Sequence, residues 1–170
     1  MGLEKFIRDI PDFPKKGILF RDITTLLNSK TALREAIDGL AELVKGQKID
    51  YIVAAESRGF IFGAAVAYKL GCGFVPVRKP GKLPSKTFKH TYSLEYGQDS
   101  LEIHQDAFPK GSRVLVLDDL LATGGTALAL IELSKKLNAE IAAIAFLIEL
   151  TALKGREMIK GYPVYSLIKY

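Results

Sequence analysis

Val114-Leu115-Val116-Leu117-Asp118-Asp119-Leu120-Leu121-Ala122-Thr123-Gly124-Gly125-Thr126 is the stretch that decides how this chain folds. Its first four residues form a short apolar run, which predicts a buried strand of a parallel sheet covered on both faces. Asp118 and Asp119 then stand at the carboxyl end of that strand, where open α/β sheets bind their ligands. The stretch therefore predicts both a fold class and the place of a site.

The residues after these carboxylates form a glycine-rich turn that suits an anion. Thr123-Gly124-Gly125-Thr126 offers unshielded backbone N–H groups, hydroxyls and the positive end of the helix predicted to start there. Because the carboxylates would repel a phosphate that they faced, we expect them to accept hydrogen bonds from sugar hydroxyls beside it. A ribose 5-phosphate meets both demands. The alternative is an ordinary strand-to-helix turn that the aspartates cap.

Composition describes an ordinary globular chain with a small excess of positive charge. The 170 residues suit a single domain that buries a sizeable core. Lys and Arg outnumber Asp and Glu by 24 to 19, a net charge of +5 that favours anionic ligands weakly. The basic residues form no helical stripe, and several lie in Arg78-Lys79-Pro80-Gly81-Lys82. This loop-like segment suits pyrophosphate better than nucleic acid, so we expect no nucleic-acid partner.

Cysteine usage and the N-terminus predict a cytoplasmic protein. Cys72 is the one cysteine, so no disulfide or multi-cysteine zinc site forms within the chain. The N-terminal residues lack the long apolar core of a secretory signal, and no stretch approaches the length of a membrane span. We therefore expect no membrane partner.

Strand-like and helix-like patterns alternate along the chain, which predicts an α/β fold with a mainly parallel sheet. The predicted strands cover residues 51–55, 74–77, 114–117, 141–148 and 164–168. The predicted helices cover residues 3–10, 59–70, 126–137 and 154–159, with a further helix that Ser29 caps and that runs to about Val44. Alternating residues on either side of a Gly97 turn predict a β-hairpin over residues 87–103.

The stretch from 114 to 126 resembles the signature of the type I phosphoribosyltransferases, which use phosphoribosyl pyrophosphate (PRPP) as donor. It is most similar to the members that act on adenine, and the resemblance extends from about Phe13 to Arg156. It implies a single domain over residues 1–170, with an N-terminal hood (residues 1–30) and a mobile β-hairpin lid (residues 80–105). It also implies a homodimer, and AMP and pyrophosphate as products.

The resemblance implies a role for four groups of residues. The ribose 5-phosphate would contact Asp118, Asp119, Ala122, Thr123, Gly124, Gly125 and Thr126. The pyrophosphate would contact Glu56, Ser57, Arg58, Gly59, Arg78, Lys79 and Lys82, with a strained, often cis, peptide in the loop that starts at Ala55. Adenine would contact Leu19, Phe20, Arg21, Leu121 and Leu150. Glu95 would exchange a proton with the purine nitrogens, and Tyr96 would cover the reacting centre.

Simpler interpretations exist for several of these residues. Glu56 could form a surface ion pair, Glu95 could face solvent on an edge hairpin, and Leu19 and Phe20 could be plain core. Two rival functions also remain open. One is transfer to hypoxanthine, guanine or xanthine, and the other is a regulator of this fold that senses nucleotides without catalysis.

The expected cofactor is Mg²⁺, held mainly by the substrate's phosphates and water. No direct protein ligand is predicted, because His90 and His104 are isolated in the sequence. Fixed cations and a hard metal beside the pyrophosphate would stabilise the charge that develops on the leaving group.

Overall fold

The computed structural model describes residues 2–93 and 97–170. The strands are β1 (Arg8–Pro11), β2 (Leu19–Asp22), β3 (Tyr51–Ala55), β4 (Gly73–Val77), β5 (Thr87–Ser93), β6 (Gln98–His104), β7 (Arg113–Leu121), β8 (Glu140–Glu149) and β9 (Val164–Lys169). The α-helices are α1 (Thr24–Asn28), α2 (Lys30–Glu42), α3 (Arg58–Leu70) and α4 (Gly125–Lys136). Short 3-10 helices cover Leu3–Phe6, Thr151–Leu153 and Gly155–Ile159.

A parallel sheet forms the centre of the fold. Its described strands lie in the order β4-β3-β7-β8-β9, and every neighbouring pair is parallel. Because the strands run the same way, the turns after β3 and β7 open at the same edge of the sheet. The predicted α/β fold with a mainly parallel sheet is confirmed.

Successive residues of the central strand β7 alternate between two hydrophobic clusters. Leu115 and Leu117 belong to the cluster that contains residues of α2 and α3. Val114 and Val116 belong to the cluster that contains residues of α4. All four side chains are fully buried. Helices thus cover both faces of the sheet, as the apolar run predicts.

Two antiparallel pairs stand outside the central sheet. β1 pairs with β2 in the hood, and β5 pairs with β6 to form the predicted hairpin. β5 lies against α4. The hairpin therefore rests on the helix that follows the glycine-rich turn.

The helix predicted for residues 3–10 is wrong beyond Phe6, because Arg8–Pro11 forms β1. Ile10 pairs with Phe20 on β2, and Pro11 restricts the backbone before it to extended conformations. The strand predicted to end at Leu117 continues to Leu121, so the two aspartates lie within β7. The apolar run in the sequence ends at Asp118, whereas pairing with β8 extends the strand beyond that residue.

Other boundaries agree closely with expectation. The side chain of Ser29 accepts a hydrogen bond from the N–H of Ala32 at 3.3 Å, which confirms it as the N-cap of α2. Among the described residues, every helix is too short or too polar to traverse a lipid bilayer.

Candidate active site

A cavity of about 250 Å³ opens between the turns that follow β3 and β7. It is called the donor cavity below. Its lining consists of Glu56, Ser57, Arg58, Asp118, Asp119 and residues 120–127. Gly59 allows the two turns to meet, because a Cβ there would lie 2.8 Å from Oδ1 of Asp118. The fold thus brings together every residue predicted for ribose 5-phosphate. It also places Glu56, Ser57 and Arg58 of the set predicted for pyrophosphate in the same cavity wall.

Asp118 and Asp119 are carboxylates that the fold keeps away from water. They are 8% and 5% exposed, and Oδ1 of Asp118 accepts a hydrogen bond from the N–H of Asp119 at 2.9 Å. Burial raises the pKa of Asp118 well above its usual value, and the neighbouring Asp119 charge raises it further. Burial also raises the pKa of Asp119, although Arg58 opposes that shift. Buried acceptors of this kind favour a ligand that donates hydrogen bonds, such as a sugar.

Arg58, the first residue of α3, supplies a cation to this carboxylate pair. Its Nε lies 2.8 Å from Oδ2 of Asp119. The N–H is not aimed at that oxygen, which accepts no hydrogen bond from any described residue. The guanidinium also lies 5.3 Å from the ring centroid of Phe20. Arg58 therefore joins the donor cavity to the hood and leaves Asp119 an acceptor for a ligand.

The phosphate turn (residues 122–126) is built around Gly124. This residue has a φ of +93°, and a Cβ on it would lie 2.6 Å from the carbonyl oxygen of Gly155. Glycine is therefore required both for backbone conformation and for space. α4 begins at the next residue, Gly125, and no side chain caps it. The N–H groups of its first turn are available to an anion, with the helix dipole behind them.

Glu56 contacts the segment that follows β4, residues 78–82, which is called the basic loop below. Its carboxylate accepts a hydrogen bond from the N–H of Lys79 at 2.6 Å, and its Oε1 lies 3.4 Å from Nε of Arg78. The peptide between Glu56 and Ser57 is cis, as the resemblance implied. Arg78, Lys79 and Lys82 lie outside the lining of the donor cavity. The structure thus places these cations beside the cavity rather than in its wall.

A chain of contacts connects the basic loop to the phosphate turn through the hairpin. Lys79 pairs with the carboxylate of Asp99 on β6. The hydroxyl of Tyr92 donates to Oδ2 of Asp99 at 3.3 Å and lies 3.5 Å from Oγ1 of Thr126. The end of the hairpin next to its turn is thereby held to both the basic loop and the phosphate turn.

A second cavity, of about 470 Å³ and with a mainly apolar wall, lies beside the hood. It is lined by Arg8, Ile10, Phe13, Phe20, Asp22, Ile23, Thr24, Leu27 and Arg58. The rings of Phe13 and Phe20 pack edge to face with their centroids 5.1 Å apart. Hydrogen bonds from Thr24 and then Arg8 lower the pKa of Asp22 to about 2, so this carboxyl group is ionised at neutral pH.

The other residues predicted for adenine do not converge on that second cavity. Leu19 is 46% exposed, and Arg21 pairs with Asp9 while its guanidinium lies 3.7 Å from the ring centroid of Tyr170. Leu121 lines the donor cavity instead. The N–H of Leu150 donates to the carbonyl of Leu121 at 2.9 Å, so these two residues are neighbours.

Glu95 and Tyr96 lie outside the described residues, so their predicted roles stay predictions. The sequence reasoning missed Leu120 and Ala127 in the wall of the donor cavity, and Gly155 and Met158 behind the phosphate turn. Leu120 lies inside the motif, between Asp119 and Leu121, and Ala127 follows it directly, so both could have been found by taking residues 118–127 as one unbroken stretch. Gly155 and Met158 approach Gly124 only in the folded chain, and no local pattern marks them.

Comparison with known proteins agrees with this geometry. Residues 22–168 match the family model described as a phosphoribosyl transferase domain. The adenine phosphoribosyltransferase of Brachyspira hyodysenteriae is 60% identical over 170 residues, covering 100% of both chains. The structure of adenine phosphoribosyltransferase from Thermoanaerobacter pseudethanolicus gives a TM-score of 0.97 at 55% identity, covering 99% of this chain and 98% of that one.

The Saccharomyces cerevisiae enzyme, solved with an imino-altritol bisphosphate and adenine, gives a TM-score of 0.91 at 46% identity and covers 97% of this chain and 96% of its own. The chain therefore belongs to the phosphoribosyltransferase family, in its adenine phosphoribosyltransferase branch.

Replacing Gly124 by Ala should disable the phosphate turn. The new Cβ would approach the carbonyl of Gly155 to 2.6 Å, so the turn must shift. We expect affinity for ribose 5-phosphate, measured by calorimetry, to fall at least about tenfold. Gly111→Ala is the matched control. Gly111 also has a positive φ, +82°, but the Cβ that alanine would add there has no atom within 4 Å. Equal losses of affinity in both variants would contradict the assignment.

Proposed function

We propose that this chain transfers the phosphoribosyl group of PRPP to adenine, giving AMP and pyrophosphate. The observation that carries this proposal is the donor cavity, which joins the buried Asp118–Asp119 pair to the phosphate turn. The 60% identity to an adenine phosphoribosyltransferase over the full chain supports adenine as the acceptor.

The donor's ribose 5-phosphate is assigned to residues 118–126. The phosphate accepts hydrogen bonds from the backbone N–H groups of the turn, with Thr123 and Thr126 as hydroxyl donors. The ribose hydroxyls donate to Asp118 and Asp119. This assignment is supported by the buried Oδ2 of Asp119, which accepts no hydrogen bond from any described residue.

The pyrophosphate is assigned to residues 56–59 and to the cations of the basic loop, Arg78, Lys79 and Lys82. Glu56 holds that loop through Lys79 and Arg78 and so acts on the leaving group indirectly. Negative charge grows on the departing oxygens, so fixed cations beside them stabilise the transition state more than the ground state.

Mg²⁺ is proposed as the cofactor. Among the described residues, no group of three or more His, Cys, Asp or Glu side chains is arranged to hold a metal. The ion would therefore be held mainly by the substrate's phosphates and water, with protein carboxylates nearby. Bound there, Mg²⁺ would neutralise charge on the pyrophosphate.

Adenine is assigned to the hood, with Phe20 packing on the flat ring. β2 belongs to a two-stranded sheet, so one of its edges has no strand partner among the described residues. Backbone groups from Leu19 to Arg21 on that edge can read the exocyclic amine and its neighbouring ring nitrogen. Leu121 and Leu150, which are hydrogen-bonded neighbours, are proposed as the opposite wall.

Glu95 is proposed to exchange the proton on the purine and Tyr96 to cover the reacting centre. Displacement at the anomeric carbon passes through a cation that water would trap, so the lid must exclude water. The flanking strands β5 and β6 are fixed to both anion-binding loops by Tyr92, Asp99 and Lys79. Holding two aligned substrates there contributes up to roughly 7 to 11 kcal/mol to the acceleration.

A homodimer is proposed from the outer face of α3. Ile61, Ala64 and Tyr68 share that face and are exposed, with Tyr68 at 91%. Apolar side chains in such a row favour burial against a second copy of the chain. Arg58 begins the same helix, so this contact would lie next to the donor site.

We further propose that residues 1–170 act as one domain in the cytoplasm, with the hood at residues 1–30 and the lid at residues 80–105. The lone cysteine, Cys72, is consistent with a reducing compartment.

The purified protein should release pyrophosphate from PRPP with adenine as acceptor and require Mg²⁺. We expect kcat/KM for adenine to exceed that for hypoxanthine or guanine by at least about a hundredfold, because unpaired polar groups penalise the wrong base. Asp118→Asn is the donor-site variant, and it should raise the KM for PRPP while leaving the KM for adenine unchanged. A higher kcat/KM with another base would contradict adenine as the acceptor. Tight nucleotide binding without turnover would favour a regulator of this fold that senses nucleotides without catalysis.

Glu95→Gln should lower kcat by at least about a hundredfold, since it removes a proton-transfer group, while the KM for adenine changes little. Steady-state kinetics across pH provide the measurement. Glu35→Gln is the control, because Glu35 is exposed on α2. A rise in KM with unchanged kcat would show that Glu95 binds the base rather than moving its proton.

Tyr68→Glu should convert the dimer into monomers. Light scattering at micromolar concentration should give twice the chain mass of 18.7 kDa for the wild type and the single mass for the variant. Leu153→Glu is the control, at a residue that is 48% exposed on a different element. A monomeric wild type would remove the homodimer proposal.

A further inference from the structure

The phosphate turn is supported from behind by the 3-10 helix Gly155–Ile159. A Cβ on Gly124 would lie 2.6 Å from the carbonyl oxygen of Gly155 and 2.9 Å from Cβ of Met158. Conversely, a Cβ on Gly155 would overlap the carbonyl oxygen of Ala122. The two segments are in direct backbone contact, so a shift of the 3-10 helix moves the turn.

This 3-10 helix needs tertiary anchors, because short 3-10 segments have poor hydrogen-bond geometry of their own. Ile159 is one anchor, since it is 1% exposed in the cluster on the α4 side of the sheet. Glu157 and Met158 are exposed, and Met158 is 50% so. The other anchor is Arg156, which holds the opposite end of the segment.

Arg156 reaches from the 3-10 helix to both β8 and β9. Its Nε and Nη2 donate to the two carboxylate oxygens of Glu149 at 2.6 and 2.7 Å. Its Nη1 donates to the carbonyl of Val164 at 2.9 Å. The hydroxyl of Ser166 donates to Oε2 of Glu149 at 2.6 Å. Glu149, Arg156 and Ser166 are called the clamp below.

The clamp depends on geometry as well as charge. Glu149 is only 5% exposed, and a buried carboxylate is tolerated only when its oxygens are paired. The hydrogen bond from Arg156, followed by that from Ser166, holds the pKa of Glu149 below its usual value. A planar guanidinium forms two parallel bonds to a carboxylate, which a lysine ammonium cannot do.

We propose that Arg156 is a positioning residue for the 5-phosphate of donor and product. Held by Glu149 and Ser166, it fixes the 3-10 helix against Gly124 and keeps the N–H groups of the phosphate turn converged on one point. All three clamp residues lie outside the lining of the donor cavity, so their effect passes through the 3-10 helix. This inference rests on the proposed function, because it assumes that the turn holds that phosphate.

Arg156→Lys keeps the charge and removes the two-point bond, so it tests the proposal. We expect affinity for AMP, measured by calorimetry, to fall about tenfold, and the KM for PRPP to rise by a similar factor. The kcat should stay within about twofold because the reacting atoms lie elsewhere, and the KM for adenine at saturating PRPP should change less than the KM for PRPP. Arg34→Lys is the control, since the Arg34 side chain is 84% exposed on α2.

Ser166→Ala provides a second variant that leaves the ion pair in place. It should weaken AMP binding in the same direction by about threefold, since it removes one hydrogen bond from Glu149. Wild-type AMP affinity in both variants, or equal losses for PRPP and adenine, would overturn the clamp. A wild-type chain that binds ribose 5-phosphate but does not convert adenine would overturn the proposed reaction, and loss of ribose 5-phosphate binding in Arg156→Lys would still support the clamp.

Discussion

The burial of two adjacent carboxylates beside an anion-binding turn is the constraint on which the site depends. Asp118 and Asp119 lie within the central strand of the sheet, where unpaired negative charge is costly. Arg58 offsets part of that cost from the neighbouring turn, and a backbone N–H satisfies one oxygen. A sugar that donates neutral hydroxyls to the pair, with its phosphate held further along by backbone amides, satisfies the site without bringing like charges together.

Two cations of the basic loop are already paired with acids. Arg78 lies against Glu56 and Lys79 against Asp99, so the basic loop is ordered by internal ion pairs. A pyrophosphate bound as proposed would compete with protein carboxylates for these side chains, and its net gain in binding free energy would be smaller than the number of cations suggests. Sequence composition shows the excess charge, but only the structure shows how that charge is distributed.

Local patterns in the sequence were enough to predict the central strands, the helix capped by Ser29 and the glycine turn. Each of these features is set by residues that are close together in the sequence, such as an apolar run that ends at a carboxylate. Three features could not be predicted this way. β1 exists because Ile10 finds Phe20 on β2, β7 continues to Leu121 because β8 runs beside it, and Gly155 meets Gly124 only across the folded molecule. All three depend on pairing between distant segments.

The strand order gives the two ends of the donor site unequal mechanical support. The phosphate turn follows β7, which has a hydrogen-bonded neighbour on each side, whereas the basic loop follows β4 at the margin of the sheet. Marginal strands open locally at a lower free energy than central ones, so amide protons near β4 should exchange with solvent sooner. If the donor binds as proposed, the backbone behind its 5-phosphate is therefore held more firmly than the backbone behind its pyrophosphate.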